Sequence, residues 1–232
     1  MIPMLEAKQV SKAFTLHNQG GVTLPVLNNI GFTVHRGEAL VLQGPSGVGK
    51  STLLRILYGN YRPSTGHVMV RHGESMVDIV HADPRLVLQV RRKTLSYVSQ
   101  FLRVIPRVST LDIVKDPMLG RSVPDGEATV RAQNLLARLN LPERLWALPP
   151  STFSGGEQQR VNIARSFVDP TEVMLLDEPT ASLDAGNRTV VVELINEACE
   201  KGASIIGIFH DEAVRDSVAT RSLDLTPLKV AA

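Results

Sequence analysis

Apolar residues along this chain follow two alternating rhythms. Short apolar runs at residues 39–42, 173–176 and 203–209 have the length and texture of strands buried on both faces. Between them lie stretches with helical spacing. Residues 50–58 read as a helix closed by Gly59. Residues 130–141 carry apolar positions at Val130, Leu135, Leu136 and Leu139, and residues 189–198 a stripe of Val190, Val191, Leu194, Ile195 and Ala198. Strand–helix–strand alternation predicts parallel strands joined by right-handed crossovers.

Other segments have a different texture. Residues 5–43 read as strands and turns, with a strand at 10–14, a polar loop at 17–21 and an alternating strand at 30–34. Residues 65–70 and 76–80 form a hairpin pattern around Arg71-His72-Gly73-Glu74. A short helix over 84–93 and a strand over 95–99 follow. From 101 to 148 the pattern turns helical, and Leu148-Pro149-Pro150 marks a boundary. The expected fold is α/β: a mostly parallel core sheet, an antiparallel β subdomain near the N-terminus, and a helical subdomain of about residues 101–168 inserted in a single domain spanning 1–232. The tail from Asp224 onward carries no legible pattern.

Composition narrows the class. The 25 Lys and Arg residues against 23 Asp and Glu leave a net charge of +2, with signs mixed along the chain, so no nucleic-acid footprint is expected. The cationic run Arg85, Arg91, Arg92 and Lys93 reads as a solvated helix face. No apolar run approaches the length of a membrane span, and the first residues lack a signal-peptide layout. With Cys199 as the sole cysteine, neither an internal disulfide nor a cysteine metal cluster is available, and a cytoplasmic setting is expected.

The chemistry concentrates at Gly44-Pro45-Ser46-Gly47-Val48-Gly49-Lys50-Ser51-Thr52, which satisfies G-x-x-x-x-G-K-[ST] between a buried strand and a helix. Glycines let backbone N–H groups close around phosphate oxygens, and the helix N-terminus adds partial positive charge. Lys50 can reach the β- and γ-phosphates, and the Ser51 hydroxyl can ligate Mg²⁺. A chance glycine-rich turn would lack both the strand and the helix, so nucleotide binding is the stronger reading. Asp177 and Glu178 follow directly on the apolar run 173–176. A strand-end aspartate beside a phosphate loop can hold Mg²⁺, and the next carboxylate can take a proton from water. Ordinary turn chemistry before Pro179 is the alternative, and the upstream loop weighs against it.

Ser154-Gly155-Gly156-Glu157 has the S-x-x-E form of a helix capping box. Two glycines in a first helical turn each cost roughly 1 kcal/mol against alanine. A helix start that needed only its cap would not need both, so this end reads as a second anion site. Two phosphate-grade helix ends in one chain are more than one nucleotide requires, unless the fold brings them together. Phe14 is either a face for an adenine ring or a strand-end core residue, and the residues alone favour the core reading.

These motifs, with Gln100, Ser182-Leu183-Asp184 and His210, occur in the order found in ABC-type ATPases, and the chain resembles that family over about residues 5–222. The resemblance implies a P-loop NTPase fold of ABC type that hydrolyses ATP with Mg²⁺ at two sites in a head-to-tail homodimer. The Ser154, Gly155 and Gly156 end would face the partner's nucleotide. It further implies that Gln100 senses Mg²⁺ and the attacking water, Asp184 bridges subunits, His210 contacts the γ-phosphate, and Phe14 stacks on adenine. Phe153 stands where the family usually has leucine, and Glu157 where it has glutamine. The segments at residues 100–107, 141–146 and 207–215 resemble the ABC subunit of the bacterial carbon–phosphorus lyase system. That implies other lyase subunits as partners in phosphonate breakdown, rather than a membrane channel. An ABC exporter subunit is the rival reading, since residues 100–106 resemble that branch too, and a low-turnover nucleotide-gated scaffold is a third.

Overall fold

The computed structural model describes residues 1–16, 20–99 and 106–226. Strands β1 (Pro3–Leu16) and β2 (Val22–His35) form one long antiparallel ribbon. Both outrun their expected lengths. Register shifts in the ribbon, and left-handed backbone at Gln9 and Asn29, break the inside–outside alternation that marks a strand in sequence. Strand β3 (Ala39–Gln43) runs through the glycine-rich loop into helix α1 (Lys50–Leu57). Strands β4 (Thr65–His72) and β5 (Ser75–Asp78) make the expected hairpin, and β4 joins β1, giving an antiparallel sheet of order β2-β1-β4-β5.

Helix α2 (Pro84–Lys93) is capped by the Asp83 carboxylate and leads into β6 (Leu95–Val98). Its cations are not uniformly solvated. Arg91 stacks over the Tyr58 ring at 4.5 Å and donates to the Tyr58 carbonyl, whereas Arg85, Arg92 and Lys93 are exposed. The helical insertion comprises α3 (Thr110–Leu119), α4 (Asp125–Arg138) and α5 (Gly155–Phe167), with two short 3₁₀ turns between α4 and α5. In α4 the buried stripe is Ala128, Ala132, Leu135 and Leu136, continued by Leu139 at the C-cap. Val130 is 56 % exposed. Its expected place on the apolar face is wrong because Ala128 and Ala132 line the buried face, and Val130, two residues from each, falls on the opposite side of the helix.

The remaining elements alternate: β7 (Val173–Asp177), α6 (Ala185–Glu200), β8 (Ser204–Ile208), α7 (Glu212–Val218) and β9 (Arg221–Asp224). They complete a parallel sheet of order β6-β7-β8-β3-β9. Strand β9, which the sequence pattern missed, is short, polar and poorly buried, and it exists because its backbone pairs in parallel with β3. Among the described residues no helix is long and apolar enough to cross a membrane. Cys199 is a free thiol, and burial pushes it up to about 11, so it is a thiol rather than a reactive thiolate at neutral pH.

The parallel sheet divides the interior in two, and its strands feed both halves in alternation. Ala39, Val41, Met174, Leu176 and Ile205 face one core, packed by α3 to α7. Leu40, Leu42, Val173, Leu175, Ile206 and Ile208 face the other, packed by α1 and the antiparallel sheet. The helical insertion therefore shares its core with the sheet. Leu136, fully buried there, tests this directly. Leu136→Ala is expected to lower stability by about 2–5 kcal/mol, read from the midpoint of urea unfolding as one shifted transition. A separate early transition for the insertion would show that it is an independent unit.

Candidate active site

The phosphate loop owes its shape to residues without side chains. Gly44, Gly47 and Gly49 have φ values of 130°, 81° and 105°, a region L side chains rarely enter. A Cβ on Gly49 would lie 2.8 Å from Val26 Cγ1, so the loop packs directly against β2. A Cβ on Gly47 would instead meet nothing within 4 Å, and this residue is exposed. The Lys50 ammonium is held across the loop by the carbonyls of Gly44 at 2.7 Å and Pro45 at 3.0 Å.

Asp177 ends β7 and is 5 % exposed. Two hydroxyls satisfy its carboxylate. Ser51 Oγ donates to Oδ1 at 3.0 Å, and the Tyr97 phenol donates to Oδ2 at 2.6 Å. Burial, then the Asp177 bond, drives the Tyr97 phenol far above its ordinary range, so it stays a donor at any physiological pH. The donor set of one hydroxyl and one carboxylate is hard oxygen throughout, which suits Mg²⁺. Sequence reasoning missed Tyr97, whose only signal is a polar tip in a short apolar strand beside the β7 run.

Glu178 follows with φ 53°, a left-handed conformation costing an L residue roughly 1–2 kcal/mol. Its N–H donates to the Ile208 carbonyl at 3.1 Å, and its Oε1 lies 2.6 Å from His210 Nε2. Strands β7 and β8 are neighbours, so two residues far apart in sequence meet at adjacent strand ends. The Glu178 side chain is 18 % exposed and that of His210 61 %, which sets the pair at the rim of the site. Such a carboxylate can accept a proton from water, with the imidazole fixing its orientation.

Ser154 caps α5 in a full capping box, its Oγ accepting from the Glu157 N–H while the Glu157 carboxylate accepts from the Ser154 N–H. The Ser154 hydroxyl, which donates to the same carboxylate at 2.7 Å, and then the Ser154 N–H pull the Glu157 carboxyl below its usual range. The two glycines separate in role. A Cβ on Gly156 would lie 3.0 Å from the Ser182 carbonyl, so this glycine lets the segment after Pro179 pack on the helix start. Gly155 meets nothing within 4 Å and is exposed. Among the described residues no hydrogen bond joins Ser154 or Gly155 to the phosphate loop.

Asp184 caps α6, accepting from the Asn187 N–H at 2.9 Å and from Asn187 Nδ2 at 2.8 Å, and these bonds depress its carboxyl. Phe14 is half-buried near the end of β1, opposite Leu24, with the Tyr61 ring edge-on at 5.8 Å and the Lys12 ammonium 4.8 Å over its face. Gln100 lies outside the described residues. Two further polar residues tie α5 to the site. Gln159, 2 % exposed, donates to the Pro179 carbonyl at 3.0 Å, and Asn162, 7 % exposed, donates to the Ser99 carbonyl at 2.8 Å. Their signal in sequence was a pair of polar residues three apart inside an otherwise apolar helix face.

The profile of the family described as "ABC transporter" matches residues 27–181. The macrolide export ATP-binding/permease protein MacB of Wolinella succinogenes is 38 % identical over 96 % of this chain, which spans only 33 % of that relative's length. The lipoprotein-releasing system ATP-binding protein LolD of Shewanella sp. (strain MR-4) is 36 % identical, covering 90 % of this chain and 87 % of the relative. A solved dimeric structure of a post-hydrolysis state of the ATP-binding cassette MJ0796, bound to ADP and Pi, superposes with a TM-score of 0.85 at 28 % identity, over 96 % of this chain and 94 % of that one.

The Tyr97 contact gives a specific expectation. Tyr97→Phe keeps the ring but leaves one oxygen of a buried carboxylate without its donor, which should cost about 1.5–3 kcal/mol. Urea unfolding measures that loss, and a Mg²⁺ titration of ATP turnover should shift to higher concentrations. Unchanged values in both would show that Tyr97 does not hold Asp177.

Proposed function

The chain belongs to the ABC transporter family of Mg-ATP-hydrolysing cassettes, and on that premise we propose that it is the ATPase subunit driving a membrane-embedded permease of the export or release type. MacB and LolD, named for macrolide export and lipoprotein release, favour this over the carbon–phosphorus lyase reading. The observation that carries the reading is the convergence of Lys50, Ser51, Asp177, Glu178 and His210 at the ends of β3, β7 and β8.

In this reading the loop N–H groups and Lys50 bind the phosphates of ATP. Ser51 and Asp177 would hold Mg²⁺, which supplies neutralising charge to the phosphate oxygens when bound. Glu178, oriented by His210, accepts the proton of the attacking water. The open α5 terminus at Ser154 and Gly155 serves the nucleotide of a second copy in a head-to-tail dimer, supported by the dimeric state of the similar cassette. Asp184 lies at that junction. Phe14 offers its ring to adenine once Lys12 moves aside. The cytoplasmic setting follows from the same reading.

A groove of about 520 Å³ between α2, β6, α3 and α5 is a docking place for the permease. Its lining includes Tyr97, which holds Asp177, and Asn162, which holds the Ser99 carbonyl. A segment wedged there would press on the metal-holding carboxylate through one hydrogen bond. Arg121 and Arg165 are paired with Asp169 and Asp116, while Arg91 and Arg92 add positive charge, so an acidic segment fits.

The lyase reading keeps one support, the texture of residues 141–146 and 207–215, and the two readings differ in partner. Affinity capture from gently solubilised cells is expected to recover a membrane permease that requires detergent. A detergent-independent assembly with phosphonate-breakdown proteins would reverse the choice. For the chemistry, Glu178→Gln should cut turnover roughly 10²–10⁴-fold with ATP binding retained. Addition of Mg-ATP should then shift this variant from monomer to dimer in size-exclusion chromatography. Near-wild-type turnover would remove Glu178 from its role, and negligible turnover of the wild type would favour the nucleotide-gated scaffold.

A further inference from the structure

The outer edge of the antiparallel sheet carries a cluster that ATP hydrolysis does not use. We propose that His67, Asp78 and His81 bind a borderline divalent transition metal, Zn²⁺ foremost, at this edge. His67 Nδ1 lies 2.7 Å and His81 Nδ1 2.8 Å from the same oxygen, Asp78 Oδ2. One ligand atom from each residue lies within 4.8 Å of the other two, and the imidazole centroids are 5.0 Å apart.

The backbone builds this arrangement. Asp78 pairs with Met69 across the β4–β5 ladder, which sets His67, two residues from Met69, on the same face. The chain then turns, with the His81 and Ala82 N–H groups donating to the Asp78 carbonyl, and His81 comes back over the carboxylate. Asp78 Oδ1 accepts from the Val80 N–H at 3.1 Å, which orients Oδ2 toward the imidazoles. The carboxylate is thus fixed while the imidazoles, 56 % and 51 % exposed, can adjust.

Around tetrahedral Zn²⁺, with bonds of about 2.0–2.1 Å, ligand atoms sit roughly 3.3 Å apart. Each imidazole nitrogen needs to draw back from the Asp78 oxygen by only about half an ångström to admit the ion. Two imidazoles and one carboxylate suit zinc and its neighbours, whereas Mg²⁺ asks for hard oxygens in a near-ideal octahedron. Mg²⁺ supplied with ATP would therefore not fill this site. Three protein ligands leave a fourth position for water or a partner's side chain. The ion would staple edge strand β5 to β4 and to the turn that leads into α2.

Calorimetric titration of ZnCl₂ into chelator-stripped, tag-free protein without nucleotide tests the site. One ion per chain is expected, and Co²⁺ in its place should give visible d–d absorption. His67→Ala with His81→Ala should weaken binding by about ten-fold or more. His67→Gln and His81→Gln, made singly, guard against misfolding, with metal-free circular dichroism matched to the parent. Zinc should also raise the thermal midpoint of the parent and not that of the double variant. Absence of saturable binding by the parent overturns the proposal. So does unchanged affinity in the double variant, which would place the ion on other groups such as Glu178 and His210.

Discussion

The site depends on one buried charge. The Asp177 carboxylate is almost wholly removed from water, and an ion in that position is tolerated only when its oxygens are satisfied. Its two donors come from opposite directions: Ser51 from the first turn of α1, and Tyr97 from β6. The strand order β6-β7-β8-β3 makes this possible, since β7 has β6 on one side and lies one strand from β3 on the other. Once Asp177 is held, the next residue turns sharply, and Glu178 meets His210 from the end of β8.

The same sheet partitions the hydrophobic interior. Alternate residues of β3, β7 and β8 face opposite cores, so each strand is fixed on both sides. The loop lies at the end of β3 and rests on β2, with Gly49 allowing the contact that any Cβ would prevent. Rigidity at this point keeps the loop amides directed at one place.

Helix α5 joins an open end to the carboxylate segment. Its exposed N-terminus carries Ser154 and Gly155, and its buried face carries Gln159 and Asn162, which reach Pro179 and Ser99. Pro179 adjoins Glu178. Gln159 thereby ties α5 to the segment beside the Glu178 carboxylate through one side-chain hydrogen bond. The glycine pair illustrates how two similar residues take different roles: Gly156 makes room for the Ser182 carbonyl, and Gly155 leaves a helix end open.

Sequence alone determined the phosphate loop, its flanking strand and helix, the Asp177-Glu178 pair, the capping box and the α/β class. Each is a local pattern, written in residues adjacent along the chain. Only the tertiary structure decided that Tyr97 holds Asp177, that Glu178 meets His210, and that Gln159 and Asn162 anchor α5. It also decided that β9 is a strand and that Val130 faces water while Ala128 and Ala132 do not. Those facts depend on strand order and on which helix covers which face, and a contact between residues 32 or 80 positions apart leaves no periodic trace. The backbone of β9 is ordered by pairing with β3, so its own side chains carry little of the signal. Local chemistry is legible because it needs particular residues at fixed spacing. Assembly is not, because many sequences satisfy the same packing.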